Sequence, residues 1–179
     1  MDASAKVTLS SLDLLEIDPS SQVAKEKYLH FGLTTNDSAL LPMADVVEVL
    51  RVPMIEILPV PWLPSCVLGI YNRRGAMLWL IDLAHVLGYP LSFLPGSLLS
   101  TGMVIGLEID RQRLGLVVPQ VYEIEAYDPL QLKPPSAQLF SAQLLPFVQG
   151  YFDRASSTVL DPVAIAQSPL IQLPAGIHP

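Results

Sequence analysis

Cysteine is nearly absent from this sequence of 179 residues, and charged residues are sparse. The single cysteine, Cys66, lies in an apolar segment and has no second cysteine for a disulfide or a cysteine-based metal site, so we expect a buried structural thiol. Charged residues make up 15% of the chain, with 10 Lys and Arg against 17 Asp and Glu. Because nucleic-acid affinity comes from clustered basic side chains, this composition argues against a nucleic-acid partner.

Residues 83–107 carry no Asp, Glu, Lys or Arg, and the stretch is long enough to cross a bilayer. It nevertheless contains Pro90, Pro95 and four glycines, which interrupt long helices. We therefore expect buried core and loop here, with no direct membrane insertion. The N-terminus has no basic segment followed by an apolar core, so no signal peptide is predicted.

What the chain does have is apolar residues and proline. Hydrophobic residues make up 51% of the sequence, which supplies a substantial core, and the length suits one domain or two small ones. The 17 prolines are poorly tolerated inside helices and central strands. The sequence therefore predicts many short elements with frequent turns, mainly β.

The clearest secondary-structure pattern lies in residues 66–83, CVLGIYNRRGAMLWLIDL. Short apolar runs flank the polar segment from Asn72 to Gly75, a pattern typical of two buried strands joined by a tight turn. Asp82 follows the second run and can cap a short helix that ends at Gly88. Asp161, followed by proline, predicts a similar helix near the C-terminus.

Part of this stretch is repeated later in the chain. Residues 66–73, CVLGIYNR, align with residues 147–154, FVQGYFDR, and each copy is followed by an apolar run and an aspartate. A second, weaker repeat is the similarity of Val46-Val47-Glu48-Val49 to Val121-Tyr122-Glu123-Ile124. Two copies indicate two similar small β units rather than a solenoid.

Residues that carry chemistry are scattered. His30, His85 and His178 have no neighbouring Cys, His or carboxylate at the spacing of a metal site, and no nucleotide-binding or hydrolase motif is present. Glu123 and Glu125 share one face of a strand, either as a carboxylate pair or as a solvated face. We predict no catalytic residue, no metal site and no cofactor.

The pattern Val67-x-Gly69-x-x-Asn72-x-Arg74-Gly75, followed by 76–83, resembles the signature of the CheW-like domain family. The segments 41–49, 114–118 and 148–150 also match it. The resemblance covers about residues 28–167.

The resemblance implies a fold of two SH3-like five-stranded β-barrels packed side by side with a few short helices. We expect a flexible N-terminal segment over 1–25, a CheW-like domain over 26–167 and a tail over 168–179. The first barrel would span about 28–88 and the second about 101–161, with terminal strands free to cross between them.

The family resemblance also implies a function. Similar proteins are non-catalytic cytoplasmic adaptors, recruited to membrane receptor arrays, that link the cytoplasmic tip of a chemoreceptor to the regulatory domain of a CheA-type histidine kinase. The output would be chemotaxis or pilus motility. Carried over by position, the receptor-binding residues are Val46, Val47, Glu48, Gly69, Asn72 and Arg74, and the kinase-binding residues are Leu116, Val118 and Tyr122.

A further expectation concerns two charged residues. Glu48 and Arg74 are charged positions in otherwise apolar hairpins, and we expect them to pair across neighbouring strands at the rim of the receptor groove.

The alternative function is a small-molecule-binding or enzymatic β-barrel protein with a site between the two units. An adaptor should expose apolar patches on separate faces, whereas an enzyme should present one deep pocket with perturbed carboxylates.

Overall fold

A computed structural model describes residues 24–98, 100–153 and 157–171. These residues form ten strands and two short α-helices. The strands are β1 (Glu26–Gly32), β2 (Ser38–Pro42), β3 (Val46–Pro53), β4 (Val67–Arg73), β5 (Ala76–Asp82), β6 (Thr101–Ile109), β7 (Gln112–Val118), β8 (Gln120–Tyr127), β9 (Val148–Phe152) and β10 (Ser157–Leu160). The helices are α1 (Leu83–Val86) and α2 (Pro162–Ala166). The predicted segment 1–25 lies almost entirely outside the described residues.

The strands form two five-stranded sheets, which confirms the predicted fold class. Sheet A has the order β8-β1-β2-β10-β9, and sheet B has the order β3-β6-β7-β5-β4. The expected crossing of strands between the barrels is extensive: β1 and β2, from the predicted first barrel, join the C-terminal strands, while β6 and β7, from the predicted second, join β3, β4 and β5. The physical reason is that each edge strand pairs with the hairpin of the other half, β3 with β6 and β8 with β1.

The predicted duplication is confirmed by the strand register. In sheet B, Val67 pairs with Ile81 and Gly69 with Leu80, leaving a bulge between the two pairs. In sheet A, Val148 pairs with Leu160 and Gly150 with Val159, with an irregularity at the same point. Gly69 and Gly150 therefore occupy equivalent positions in the two halves.

Sheet A and sheet B each close into a barrel, barrel A and barrel B, next to these glycines. The chain that follows β3 forms a two-way backbone bridge from Leu58 to Ile70 of β4, and the chain that follows β8 forms the same bridge from Lys133 to Tyr151 of β9. Each bridge joins the two edges of its sheet. The closing segment crosses directly over the glycine, since a Cβ atom at Gly69 would lie 2.2 Å from the Leu58 carbonyl oxygen, and one at Gly150 would lie 2.5 Å from that of Lys133.

The core has three parts that follow the alternation of side chains along the strands. One cluster fills barrel B and includes Leu80, and a smaller one fills barrel A and includes Leu40. The next residue in each strand, Ile81 or Leu41, belongs to the largest cluster, which contains residues of both sheets and which we call the shared core. Central strands are therefore buried on both faces, which explains why they read as continuous apolar runs.

Both predicted helices form, and an aspartate caps each one. The Asp82 carboxylate accepts a hydrogen bond from the His85 N–H, and the Asp161 carboxylate accepts from the N–H groups of Val163 and Ala164. Gly88 follows α1 with φ of 93°, the left-handed conformation expected of a helix stop.

Cys66 is buried, as predicted, and burial raises the pKa of its thiol. Its Sγ donates to the carbonyl oxygen of Leu170 at 3.2 Å, and Ile171 is buried in the shared core. The first residues of the predicted tail therefore pack on the domain as far as Ile171. Within the described residues, no helix is both long and apolar enough to cross a membrane.

Candidate partner-binding surfaces

Strand β3 is an edge strand of sheet B, and it exposes an apolar face. Val47 is 54% exposed and Val49 is 38% exposed. Val46, the first residue of β3, packs against the shared core. Two of the predicted receptor-binding residues therefore differ in exposure, at a point where the pairing of β3 with β6 is irregular between Val46 and Glu48. Val47 is available to a partner, and so is Val49, which the sequence did not single out.

Glu48 forms an ion pair, but with Arg73 instead of Arg74. The Glu48 Oε2 atom lies 3.2 Å from Nη2 and 3.3 Å from Nε of Arg73, and both side chains are about one-third exposed. The predicted Glu48–Arg74 pair is wrong, as is its placement on neighbouring strands. Because β3 and β4 are the two edge strands of sheet B, the Glu48–Arg73 ion pair joins these edges where the barrel closes.

Arg74 instead occupies the turn between β4 and β5. Arg74 and Gly75 have φ of 52° and 87°, the pattern of a type I′ hairpin turn, and both are exposed. The Asn72 Oδ1 atom accepts a hydrogen bond from the Gly75 N–H at 3.0 Å. Asn72 therefore has a structural role in the turn. A signal for Arg73 was present in the repeat, where Arg73 aligns with Arg154.

Gly69 is buried beneath Leu58 and has φ of +139°. A side chain at this position would meet backbone atoms, which cannot move aside as a flexible side chain would. The structure therefore does not support Gly69 as a contact residue, because its role is to let the barrel close. A bulky substitution there would disturb the fold before it reported on binding.

The three predicted kinase-binding residues also differ in exposure. Leu116 and Val118 are buried in the shared core, at 0% and 1% exposed, so the folded protein cannot present them to a partner. Tyr122 on β8 is 46% exposed, and Ile124 beside it is 55% exposed. The apolar surface of β8 is the counterpart, in sheet A, of Val47 and Val49 on β3.

A cleft of about 510 Å³ lies beside the β1–β2 turn. It is lined by Asp37 from that turn, by Tyr89 after α1, and by Phe140 and Tyr151, among others. Burial and then the nearby Asp37 carboxylate, which accepts a hydrogen bond from the phenol, raise the pKa of Tyr89. The cleft has the size of a small-molecule site, with one polar pair inside it.

Comparison with known proteins decides the family. Residues 27–169 match the CheW-like domain. The chain belongs to the CheW-like domain family. It is 30% identical to Protein PilI of Pseudomonas aeruginosa over 151 residues, 83% of this chain and 81% of the relative.

The structural comparison agrees with this assignment. The fold matches the crystal structure of scaffolding protein TtCheW from Thermoanaerobacter tengcongensis with a TM-score of 0.63 and 25% sequence identity. The match covers 76% of this chain and 87% of that one. The prediction of a CheW/PilI-like adaptor is confirmed at this level.

Proposed function

We propose that this protein is a non-catalytic adaptor that links chemoreceptor cytoplasmic tips to a CheA-type histidine kinase in a chemotaxis or pilus-motility pathway. The observation that carries the proposal is the pair of exposed apolar edge strands, one on each sheet of a CheW-like fold. Val47 and Val49 mark the first, and Tyr122 and Ile124 mark the second. Two separate apolar surfaces suit a protein that holds two partners together.

The receptor surface that we propose is the exposed face of β3, with the Glu48–Arg73 pair at its rim. Docking on this face would bury the apolar area of Val47 and Val49, and the charged pair would orient the partner. Val47→Asp should reduce co-sedimentation with receptor cytoplasmic fragments at least 10-fold, since it places a charge in an apolar contact.

A matched control is available away from β3. Leu130→Asp places the same charge at an exposed apolar residue in the segment that follows β8, and should leave receptor binding unchanged. Far-ultraviolet circular dichroism would establish that both variants are folded. Wild-type binding by a folded Val47→Asp variant would remove β3 as the receptor surface.

The kinase surface that we propose is the exposed edge of sheet A along β8, marked by Tyr122 and Ile124. Ile124→Asp and Tyr122→Ala should each weaken binding of the kinase regulatory domain and leave receptor binding intact. If both variants bind the kinase as well as the wild type does, the kinase contact lies elsewhere.

We also propose that the protein is cytoplasmic and is recruited to receptor arrays at the membrane. A fluorescent fusion should form foci at the membrane in cells that contain the receptors and become diffuse when the receptors are deleted. Foci that persist without receptors would contradict this localisation.

A second candidate function, small-molecule binding or catalysis between the units, is favoured only by the cleft at Asp37 and Tyr89. A Tyr89→Phe variant removes the polar pair inside the cleft and should leave receptor and kinase binding unchanged. Loss of a metabolite-induced thermal shift in Tyr89→Phe, from a screen in which the wild type responds, would favour the second function instead.

A further inference from the structure

We propose that His30, Glu123 and Glu125 form a binding site for a transition-metal cation of the Zn²⁺ class. One possible ligand atom from each side chain lies within 4.8 Å of the other two. Glu123 and Glu125 were expected to share a face of one strand, but no sequence pattern links them to His30, which lies far away along the chain. The pairing of β1 with β8, strands from different halves of the duplication, brings them together.

A β-bulge shapes the cluster. Leu29 of β1 pairs with Ile124 of β8, but Phe31 pairs with Val121, so β8 carries one more residue than β1 at this point. His30 lies opposite the extra residue. Bulges redirect side chains and are frequent beside functional sites. The irregularity therefore allows Glu123 and Glu125 to approach the same imidazole.

Neighbouring side chains hold two of the three ligands in place. The His30 Nδ1 atom lies 2.7 Å from Glu125 Oε1, and its Nε2 atom lies 3.0 Å from the Ser38 hydroxyl oxygen. The other oxygen of Glu125 accepts a hydrogen bond from the Tyr127 hydroxyl. Metal-binding histidines and carboxylates in proteins are oriented by outer partners of this kind. A cation would take the place of the proton that lies between Nδ1 and Glu125 Oε1, while Nε2–H donates to the Ser38 hydroxyl oxygen.

The ring of His30 is also supported by packing. The Tyr122 ring lies 4.9 Å from it, centroid to centroid, while Glu123 is exposed next to the pair. A recess of about 350 Å³ opens beside His30 and Glu123 and leaves room for a water ligand. Three protein ligands with a water completing the set is a common arrangement for Zn²⁺.

The donor set indicates the class of cation. One imidazole nitrogen and two carboxylates favour Zn²⁺ and similar transition metals, whereas Mg²⁺ and Ca²⁺ prefer oxygen ligands alone. Zn²⁺ bonds of about 2.1 Å place tetrahedral ligands roughly 3.4 Å apart. His30 Nδ1 and Glu125 Oε1, now 2.7 Å apart, would therefore separate slightly on binding, and the exposed Glu123 carboxylate would adjust to the same spacing. The two carboxylate charges match a divalent cation. Bound metal would clamp β1 to β8 and so join the two halves of the duplication in sheet A.

The test is isothermal titration of the full, chelator-treated chain with ZnCl₂ near pH 7.5. We expect saturable binding of one equivalent and a rise in melting temperature, because a ligand that binds the folded state stabilises it. His30→Gln and Glu123→Gln should each weaken binding at least 10-fold, and Ser38→Ala should weaken it less. MgCl₂ at the same concentrations should give no saturable signal.

Glu123→Gln is the decisive variant, because Glu123 is exposed and its replacement should leave the fold intact. His85→Ala is the matched control, since His85 is a half-buried histidine that contacts Ser65 and the Tyr89 carbonyl oxygen instead of carboxylates. Unchanged Zn²⁺ binding in Glu123→Gln and His30→Gln, or no saturable binding in the wild type, would overturn the site. Equal binding of Mg²⁺ would overturn the assignment of the cation class.

Discussion

The two barrels are built from the same parts but are filled and closed differently. Barrel B has an aliphatic interior with one phenylalanine, and an ion pair, Glu48–Arg73, joins its edge strands. Barrel A has an aromatic interior around Tyr28, and its edge strands are joined by the Tyr127 and Phe152 rings, stacked 4.3 Å apart at an interplanar angle of 8°. What is shared is the backbone bridge over a glycine.

The difference shows which features the duplicated architecture requires. A glycine beneath the closing bridge and an aspartate at the start of each helix occur in both halves, so they serve the fold. The side chains that join the barrel edges differ between the halves, so either kind of contact satisfies the geometry. Residues that differ between the halves are therefore the better candidates for binding different partners.

The largest expected effect is at the glycines. Gly69→Ala should destabilise the protein by about 4 kcal/mol, because it combines a clash with the Leu58 carbonyl and a strained positive φ. Gly150→Ala should cost about 2 kcal/mol, since its clash with Lys133 O lacks the strained φ. Urea unfolding measures both changes. Equal and small losses would show that the closing bridges tolerate a side chain.

The next effect concerns the capping aspartates. Asp82 is fully buried and also accepts hydrogen bonds from the N–H groups of Ser92 and Phe93, which anchor the loop that delivers Phe93 to barrel B. Asp82→Ala should therefore cost about 3 kcal/mol, and Asp161→Ala, which loses only a helix cap, about 1 kcal/mol. Thermal unfolding of the two variants compares them. A larger loss at Asp161 would reverse the assigned roles.

A smaller effect is expected for the contacts that join the barrel edges. A double-mutant cycle on Tyr127 and Phe152, each changed to Leu, should give a coupling of about 1 kcal/mol that is insensitive to salt. The same cycle on Glu48 and Arg73, each changed to Ala, should give about 0.5 kcal/mol and decline in 1 M NaCl, because the pair is partly exposed. Tyr127→Phe controls for the lost hydroxyl. Salt-sensitive coupling in barrel A, or none in barrel B, would contradict the comparison.

The smallest effect at neutral pH is expected for Tyr28. Burial, with a hydrogen bond to Glu26, raises the pKa of Tyr28 to about 12. Because the folded state holds this proton more tightly than the unfolded state, the stability it contributes is complete below about pH 10 and is lost as pH rises towards 12. Tyr28→Phe should therefore reduce the loss of stability between pH 10 and 12. An identical alkaline unfolding profile in the variant would show that Tyr28 titrates normally.

Much of the fold was predictable because local signals were consistent. The hairpin at Asn72 and Gly75, the capped helices after Asp82 and Asp161, and the buried Cys66 all follow from residues close together in the chain. The repeat also predicted the equivalence of Gly69 and Gly150. Turn chemistry, caps and apolar runs act over a few residues, and tertiary contacts reinforced them here.

Which strands are exchanged between the halves was not predictable in the same way. The choice of β6 over a nearer partner for β3 depends on long-range packing, which strand patterns do not encode. The same limit explains the site residues. Leu116 and Val118 are apolar strand positions in the sequence whether they face a partner or the core. Only the tertiary structure, in which both faces of β7 are covered, shows that they face the core. Arg73 and Arg74 are adjacent, and only the backbone turn decides which one reaches Glu48.

Bridging between partners tests the central claim most directly. Vesicles that display receptor cytoplasmic fragments would be sedimented with a CheA-type kinase from the same organism, with and without this protein, and the kinase in the pellet would be measured. We expect kinase in the pellet only when the protein is present, and a loss of that kinase with either Val47→Asp or Ile124→Asp. Kinase recovery that is independent of the protein, or absent at saturating protein with both partners folded, would contradict an adaptor function.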